Sequence, residues 1–202
     1  MPSRLRATRR HNPTLPRSPR VLLLVDFINP LDFPGADRLA PHALKAAHAT
    51  AALKRRLSGQ GVTTVYANDN FGIWQSDFHS LVTQCVSREG ICGEITRTIY
   101  PQPTDLTLLK PRHSAFFGSP LELLLSEMDA QDLVICGLAT DICVQMTAAD
   151  AFLREYRCWV PGDCSAAETQ AAHEASLAYM ADVLKCDVRV STEVPDEALK
   201  TT

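Results

Sequence analysis

Residues 133–153 read LVICGLATDICVQMTAADAFL, and this stretch decides the fold class. It opens on Leu133–Cys136, a continuously apolar run that suits a strand covered on both faces. Gly137 breaks the run. Beyond it, Ile142, Met146, Ala149, Phe152 and Leu153 recur at helical spacing and predict a helix over 141–156. A buried strand running into an amphipathic helix is half of a strand–helix–strand unit, and the alternation continues in both directions. Further strands are predicted at Val21–Val25, Val62–Ala67, Leu106–Leu109, Cys158–Val160 and Val188–Val190. A helix over 41–58 buries Leu44, Ala47, Ala51 and Leu57 and stops at Gly59 and Gly61. Another, over 119–127, starts at Ser119-Pro120. Others are predicted over 167–184 and, within the irregular stretch 71–100, over 77–87. Strand–helix alternation over six strands predicts one doubly wound, three-layer α/β domain, Rossmann-like, with a mostly parallel sheet.

The chain has 202 residues, about one domain's worth. Hydrophobic residues make up 46% and charged residues 21%, which excludes a disordered or collagen-like chain. The formal net charge of -3 conceals an asymmetry: the first 20 residues carry six arginines and no acid, so the remainder stands at -9. Residues 1–18 are therefore expected to be a basic disordered arm, and 19–202 the folded domain. A transit peptide or a contact with an anionic surface is the other reading of the arm. An acidic body gives no case for a nucleic-acid partner. The apolar run Val21–Val25 is too short to span a membrane or to act as a secretory signal. Seven cysteines cannot all pair within one chain, and no Cys-x-x-Cys occurs. Free thiols in a reducing compartment, hence a cytoplasmic location, are expected.

In a doubly wound sheet the ligand sits beyond the carboxyl ends of the strands. The residues there are Asp26 after the first strand, Asn68, Asp69 and Asn70 after the second, Lys110 after the third, and Gly137 to Cys143 after the fourth. A carboxylate closing a buried strand is costly unless partnered. Cys143 falls in the first helical turn, where unpaired N–H groups and the helix dipole stabilise a thiolate, and a nearby Lys110 would lower its pKa further. Asp26 could then take the thiol proton and pass it to a leaving amine. The alternative is a small buried cysteine filling a helix–sheet contact. Cys164, in PGDCSAA, is a weaker rival nucleophile, while Cys136 and Cys158 read as core and Cys85, Cys92 and Cys186 as bystanders. His113 follows Lys110 in a loop, either solvated or in a dyad with Cys143. No Gly-x-Ser-x-Gly, Gly-x-Gly-x-x-Gly or P-loop pattern occurs, which argues against serine-hydrolase, dinucleotide and nucleotide roles.

The blocks LLLVDFINPLDFPG around Asp26, LLKPRHSAFFGSPLELLL around Lys110 and VICGLATDICVQMTAADAF around Cys143 resemble the isochorismatase-like cysteine hydrolases. That superfamily includes nicotinamidases and N-carbamoylsarcosine amidohydrolase. The resemblance runs from about Arg20 to Val190. It implies a Cys143–Asp26–Lys110 triad, a non-proline cis peptide at Leu138–Ala139, and an oxyanion hole from the N–H groups of Ala139 and Cys143. It also implies a small-molecule substrate and a homo-oligomer, dimer or tetramer. True isochorismatases lack this cysteine, so cleavage of an amide or ureido carbon–nitrogen bond through an acyl-enzyme is the expected chemistry. Nicotinamidases bind a divalent metal through an Asp-x-His motif after the second strand. The stretch here reads YANDNFGIWQSDFHSLV, with Asn68 and Asn70 in place of Asp and His and only His79 remaining, so no metal or other cofactor is expected. Asn68, Asn70 and Trp74, with Phe33 and Phe117 nearby, are the candidate substrate wall; Asx turns are the competing reading of the asparagines. A non-catalytic or redox-sensing binding protein on the same fold is the alternative function.

Overall fold

The computed structural model describes residues 15–194, so residues 1–14 of the expected arm lie outside it. The last four residues expected in the arm belong to the domain. Ser18 is buried; its N–H donates to Met128 O, and its Oγ accepts from Thr63 N. Leu15 packs on the core.

Six strands form one parallel sheet: β1 (Arg20–Val25), β2 (Thr63–Asp69), β3 (Leu106–Lys110), β4 (Asp132–Leu138), β5 (Arg157–Trp159) and β6 (Ser165–Ala166). The order is β3-β2-β1-β4-β5, with β6 also pairing β4. β5 pairs with Asp132–Val134 and β6 with Gly137–Leu138, so both accompany β4, β6 nearer its carboxyl end. The central strands are apolar without a break over Val21–Val25 and Leu133–Cys136, because both of their faces are covered. In β1, Leu22 and Leu24 enter one core while Val21, Leu23 and Val25 enter the other. The helices α1 (Ala36–Ser58), α2 (Phe78–Val86) and α3 (Ile91–Thr98) supply the first core. The second is built by α4 (Leu121–Glu127), α5 (Gln145–Leu153) and α6 (Gln170–Asp182).

Three expectations are corrected. The sixth strand is Ser165–Ala166 and not Val188–Val190. The later segment follows a single bridge, Trp159 to Asp187, and Val188 O accepts Gly162 N without extending it into a ladder. The first long helix starts at Ala36, five residues before Pro41. Pro41 stands in the second turn, where its missing N–H forgoes the bond to Asp37 O, a loss that the rest of this 23-residue helix carries. The stretch after α2 holds a further short helix, α3, entered through Gly90 at φ 74, a backbone state that favours glycine.

β1 runs to β2 and β3 on one side, and the chain then crosses back to place β4 on the other. The switch in strand order therefore lies between the carboxyl ends of β1 and β4. Gly137 lets these two strands approach. It adopts φ 152, and a Cβ there would lie 2.1 Å from Val25 O, which no side chain tolerates.

Candidate active site

Four strand ends deliver ionisable groups to this crevice. Asp26 leaves β1 in the left-handed region at φ 53, a strained state for a side-chain residue that Asp tolerates better than most. Its N–H donates to Ala67 O, and its Oδ1 accepts from Asp69 N at 2.7 Å. Lys110, the last residue of β3, is fully buried and reaches past the end of β2. Its Nζ lies 2.7 Å from Asp26 Oδ2, 3.6 Å from Asp69 Oδ2 and 3.7 Å from Cys143 Sγ, and it donates to Arg112 O at 3.1 Å. Cys143 sits in the wide turn Thr140–Val144 that precedes α5, and its thiol also meets the Asp26 carboxylate. Ala139, joined to Leu138 by a cis peptide, accepts the N–H groups of Ile142 and Val144 on its carbonyl. Thr140 Oγ1 pairs with Nδ1 of His173 on α6 at 2.8 Å, which ties the turn to the neighbouring helix.

Three residues from three strand ends, Asp26, Lys110 and Cys143, are thus in mutual contact with almost no exposure to water. Burial pushes the Asp26 carboxyl above its ordinary 3.8, against the pull of Lys110. For Lys110, burial alone would lower the ammonium, but the facing Asp26, Cys143 and Asp69 outweigh it and hold it above 10.5. The expected low-pKa thiolate is corrected. Burial pushes the Cys143 thiol up, the Asp26 charge pushes the same way, and Lys110 offsets only part of both. The helix terminus and Lys110 both favour a thiolate, but the Asp26 carboxylate at 2.7 Å already neutralises Lys110. At rest the sulfur keeps its proton, and a carboxylate with raised affinity for protons stands beside it. Iodoacetamide labelling of Cys143, mapped by peptide mass, is expected to be slow at pH 7 and to rise only above the ordinary thiol range. Rapid labelling at neutral pH contradicts this charge balance.

The candidate substrate wall is not brought together as expected. Asn68 is fully buried, with Nδ2 donating to Ile28 O at 2.7 Å and Oδ1 unpartnered, so it fastens β2 to the chain after β1 and does not line an open pocket. Asn70 closes an Asx turn by accepting Gly72 N at 2.9 Å. Trp74, Phe33 and Phe117 are exposed, Trp74 to 77%. An open, mainly apolar cavity of about 440 Å³ lies beside His113, lined by Phe117, Met146, Ala149 and Leu153 among others.

The residue pattern signalled two neighbours only weakly. Asp69 shares a sheet face with Lys110 by the alternation of β2 and β3. His113, on the loop after β3, places Nδ1 3.6 Å from Cys143 Sγ. The other six cysteines are sorted by the fold. Cys85 meets Cys92, Cys136 meets Cys164, and Cys158 meets Cys186, thiol to thiol, which leaves Cys143 facing charged groups instead. The rival Cys164 is fully buried and donates to the neighbouring Asp163.

A parallel α/β sheet with acid, lysine and cysteine at its switch point defines a hydrolase-like α/β site. The isochorismatase domain model matches residues 20–192, and the chain belongs to the isochorismatase family; it is an isochorismatase-family hydrolase. The uncharacterized isochorismatase family protein YaaI of Bacillus subtilis is 32% identical over 178 residues, spanning 88% of this chain and 97% of the relative. The fold is similar to that of the N-carbamoylsarcosine amidase from Thermoplasma acidophilum, with TM-score 0.67 and 27% identity over 87% of this chain and 98% of that one. It is equally similar to the nicotinamidase SaPncA from Staphylococcus aureus, with TM-score 0.66 and 26% identity over 85% and 98%.

The residues at the carboxyl end of β2 do not form a ligand set for a divalent metal. Asn68 is turned into the core, Asn70 is engaged by Gly72, and Asp69 faces Lys110 and accepts Phe71 N. His79, the ring that the pattern left, is exposed on α2.

Proposed function

We propose that this protein is a metal-independent cysteine hydrolase that cleaves an amide or ureido carbon–nitrogen bond of a small molecule. The contact cluster of Asp26, Lys110 and Cys143 at the β1/β4 switch point carries this reading. Asp26 takes the thiol proton as the sulfur adds to the carbonyl carbon, and Lys110 then balances the thiolate in place of the carboxylate. The oxyanion of the tetrahedral intermediate is received by the N–H groups of Ala139 and Cys143. Collapse breaks the carbon–nitrogen bond, the nitrogen leaves with the proton held by Asp26, and water hydrolyses the resulting thioester. Phe33, Trp74 and Phe117 are the candidate apolar contacts for the substrate, supported by their exposure near the strand ends. Ammonia release from a panel of amides and ureido compounds tests the reading, with the Cys143→Ala protein as the blank. A protonated, buried thiol speaks against the redox-sensing alternative, because oxidation follows thiolate character and access.

The same reading includes a cytoplasmic homo-oligomer. Among the described residues no helix is long and apolar enough to cross a membrane. Phe117, with Met146 and Leu153 of α5, is exposed around one open apolar cavity, the kind of surface that a second copy of the chain could cover. Sedimentation velocity is expected to give a dimer or tetramer, and Leu153→Asp to shift it toward monomer; a monomer at micromolar concentration contradicts the assignment.

A further inference from the structure

The turn that carries Cys143 is fastened to α6 through a buried hydroxyl. Thr140 lies between Ala139 and Cys143, whose N–H groups are the proposed oxyanion donors, and it is wholly buried. A threonine at the start of such a turn commonly bonds the local backbone. Here no side chain caps the turn, and Thr140 Oγ1 instead meets Nδ1 of His173 at 2.8 Å. His173 is half-buried near the start of α6, where its own N–H bonds Thr169 O and Thr169 Oγ1 accepts Ala172 N. The ring also bonds the backbone of Gly162. The Gly162 N–H is already given to Val188 O at 3.3 Å, so the ring donates to Gly162 O. That leaves Nδ1 as an acceptor, and the Thr140 hydroxyl is the donor of the bond between them. Burial lowers the imidazole below its ordinary 6.5; the Gly162 bond, Glu174 and Asp141 offset only part of this, and His42 of α1 adds to it. The ring is therefore neutral at pH 7, as an acceptor at Nδ1 must be.

We propose that His173 is a positioning residue for the reaction, holding the nucleophile turn through Thr140 so that the Ala139 and Cys143 N–H groups stay aimed at the oxyanion. This deepens the function proposed above and rests on Cys143 as nucleophile. Oxyanion donors act only where the oxygen stands in the transition state, and a misplacement of about 1 Å can cost about 10²-fold in rate. Without the ring, a buried hydroxyl loses its partner, and the turn relaxes toward another one. Both donors flank Thr140 in the chain, so they move with it. His173 thus acts through Thr140 and exchanges no proton with the substrate.

The test uses 4-nitrophenyl acetate as acyl donor and follows acetylation of Cys143 by the first-turnover release of nitrophenolate and by peptide mass. His173→Ala is expected to slow acetylation by about 10- to 100-fold. His173→Asn sets an amide oxygen near the place of Nδ1 and should bring the rate back to within about three-fold of the parent. Thr140→Val keeps the shape of the side chain and removes the hydroxyl, so it should match His173→Ala. The double variant should be no slower than either single one, because both cut the same bond. Thermal midpoints of all variants are measured alongside, and should His173→Ala not fold, the isosteric Thr140→Val carries the comparison with the parent. A loss that asparagine does not restore, losses that multiply in the double variant, or an unchanged rate in Thr140→Val each overturn the role of His173 and leave Cys143 as nucleophile. If the parent protein acquires no acetyl on Cys143, the nucleophile assignment itself falls, and this inference with it.

Discussion

Cys143→Ala is expected to abolish turnover of any amide or ureido substrate, a loss on the order of 10⁶-fold, the scale seen when a hydrolase triad loses its nucleophile. Cys143→Ser should be nearly as poor. A serine hydroxyl beside Asp26 is far harder to deprotonate than a thiol, and the site already holds the thiol's own pKa up through burial and the Asp26 charge. Neither change should disturb folding much, because both replacements are smaller than or similar in size to the side chain they replace, and Cys143 makes no hydrogen bond that the core depends on. Thermal denaturation and circular dichroism run in parallel separate loss of chemistry from loss of structure. Residual turnover above a thousandth of the parent rate by a correctly folded Cys143→Ala protein would sink the assignment of the nucleophile. A pH profile sharpens the same assignment. Burial raises the Asp26 carboxyl above 3.8, and the base form is the one required, so kcat/KM should rise with pH through an ionisation above the ordinary carboxylate value.

Much of the fold is legible in the sequence because buried parallel strands advertise themselves. Leu133–Cys136 and Val21–Val25 are apolar at every position, and the ionisable residues Asp26 and Lys110 mark where β1 and β3 emerge into the crevice. The same locality explains what is not legible. β6 is two residues long and is held by Gly137 and Leu138 of β4, each paired 28 positions away, so no periodicity reveals it. Asn68 has the composition of a binding residue, but β2's alternation turns it to the α1 side of the sheet, where Ile28 O engages it. The protonation of Cys143 is the clearest case. A helix start and a lysine both argue for a thiolate, and both are local signals. The deciding quantities, burial and the distance from Lys110 to Asp26, exist only once three strand ends have met. The cysteine count is clarified in the same way, since six thiols pair off by contact and leave the seventh at the switch point.

The largest effect on stability is expected at Lys110. Its ammonium is fully buried and faces Asp26 at 2.7 Å and Asp69 at 3.6 Å. Lys110→Met keeps the length of the side chain but leaves the Asp26 carboxylate without its cation, and breaking a buried pair from one side costs about 3–5 kcal/mol. Asp26→Asn exposes the converse fault, a buried ammonium with only Asp69 to answer it. The double variant Asp26→Asn with Lys110→Met removes both charges, and most of the lost stability should return, because a buried ion pair is often no better than a neutral pair of similar volume. Urea denaturation of the parent, the two single variants and the double variant closes the cycle. Recovery in the double variant, with turnover absent in all three, separates what the pair does for folding from what it does for chemistry. pH gives a second handle of known sign. Lys110 is held above 10.5 by its anionic neighbours, so its contribution is full below pH 10.5 and is lost as pH rises through the higher folded value. Asp26 works in the opposite sense. Its folded carboxyl binds the proton more tightly than the unfolded one, so its ionisation erodes stability as pH rises from 3.8 through the raised value. A protein that keeps a destabilising carboxylate at the mouth of its most buried lysine is holding a base in place, and the cost falls on folding. Additive losses in the cycle, with no recovery in the double variant, would mean that the two charges do not act as a pair.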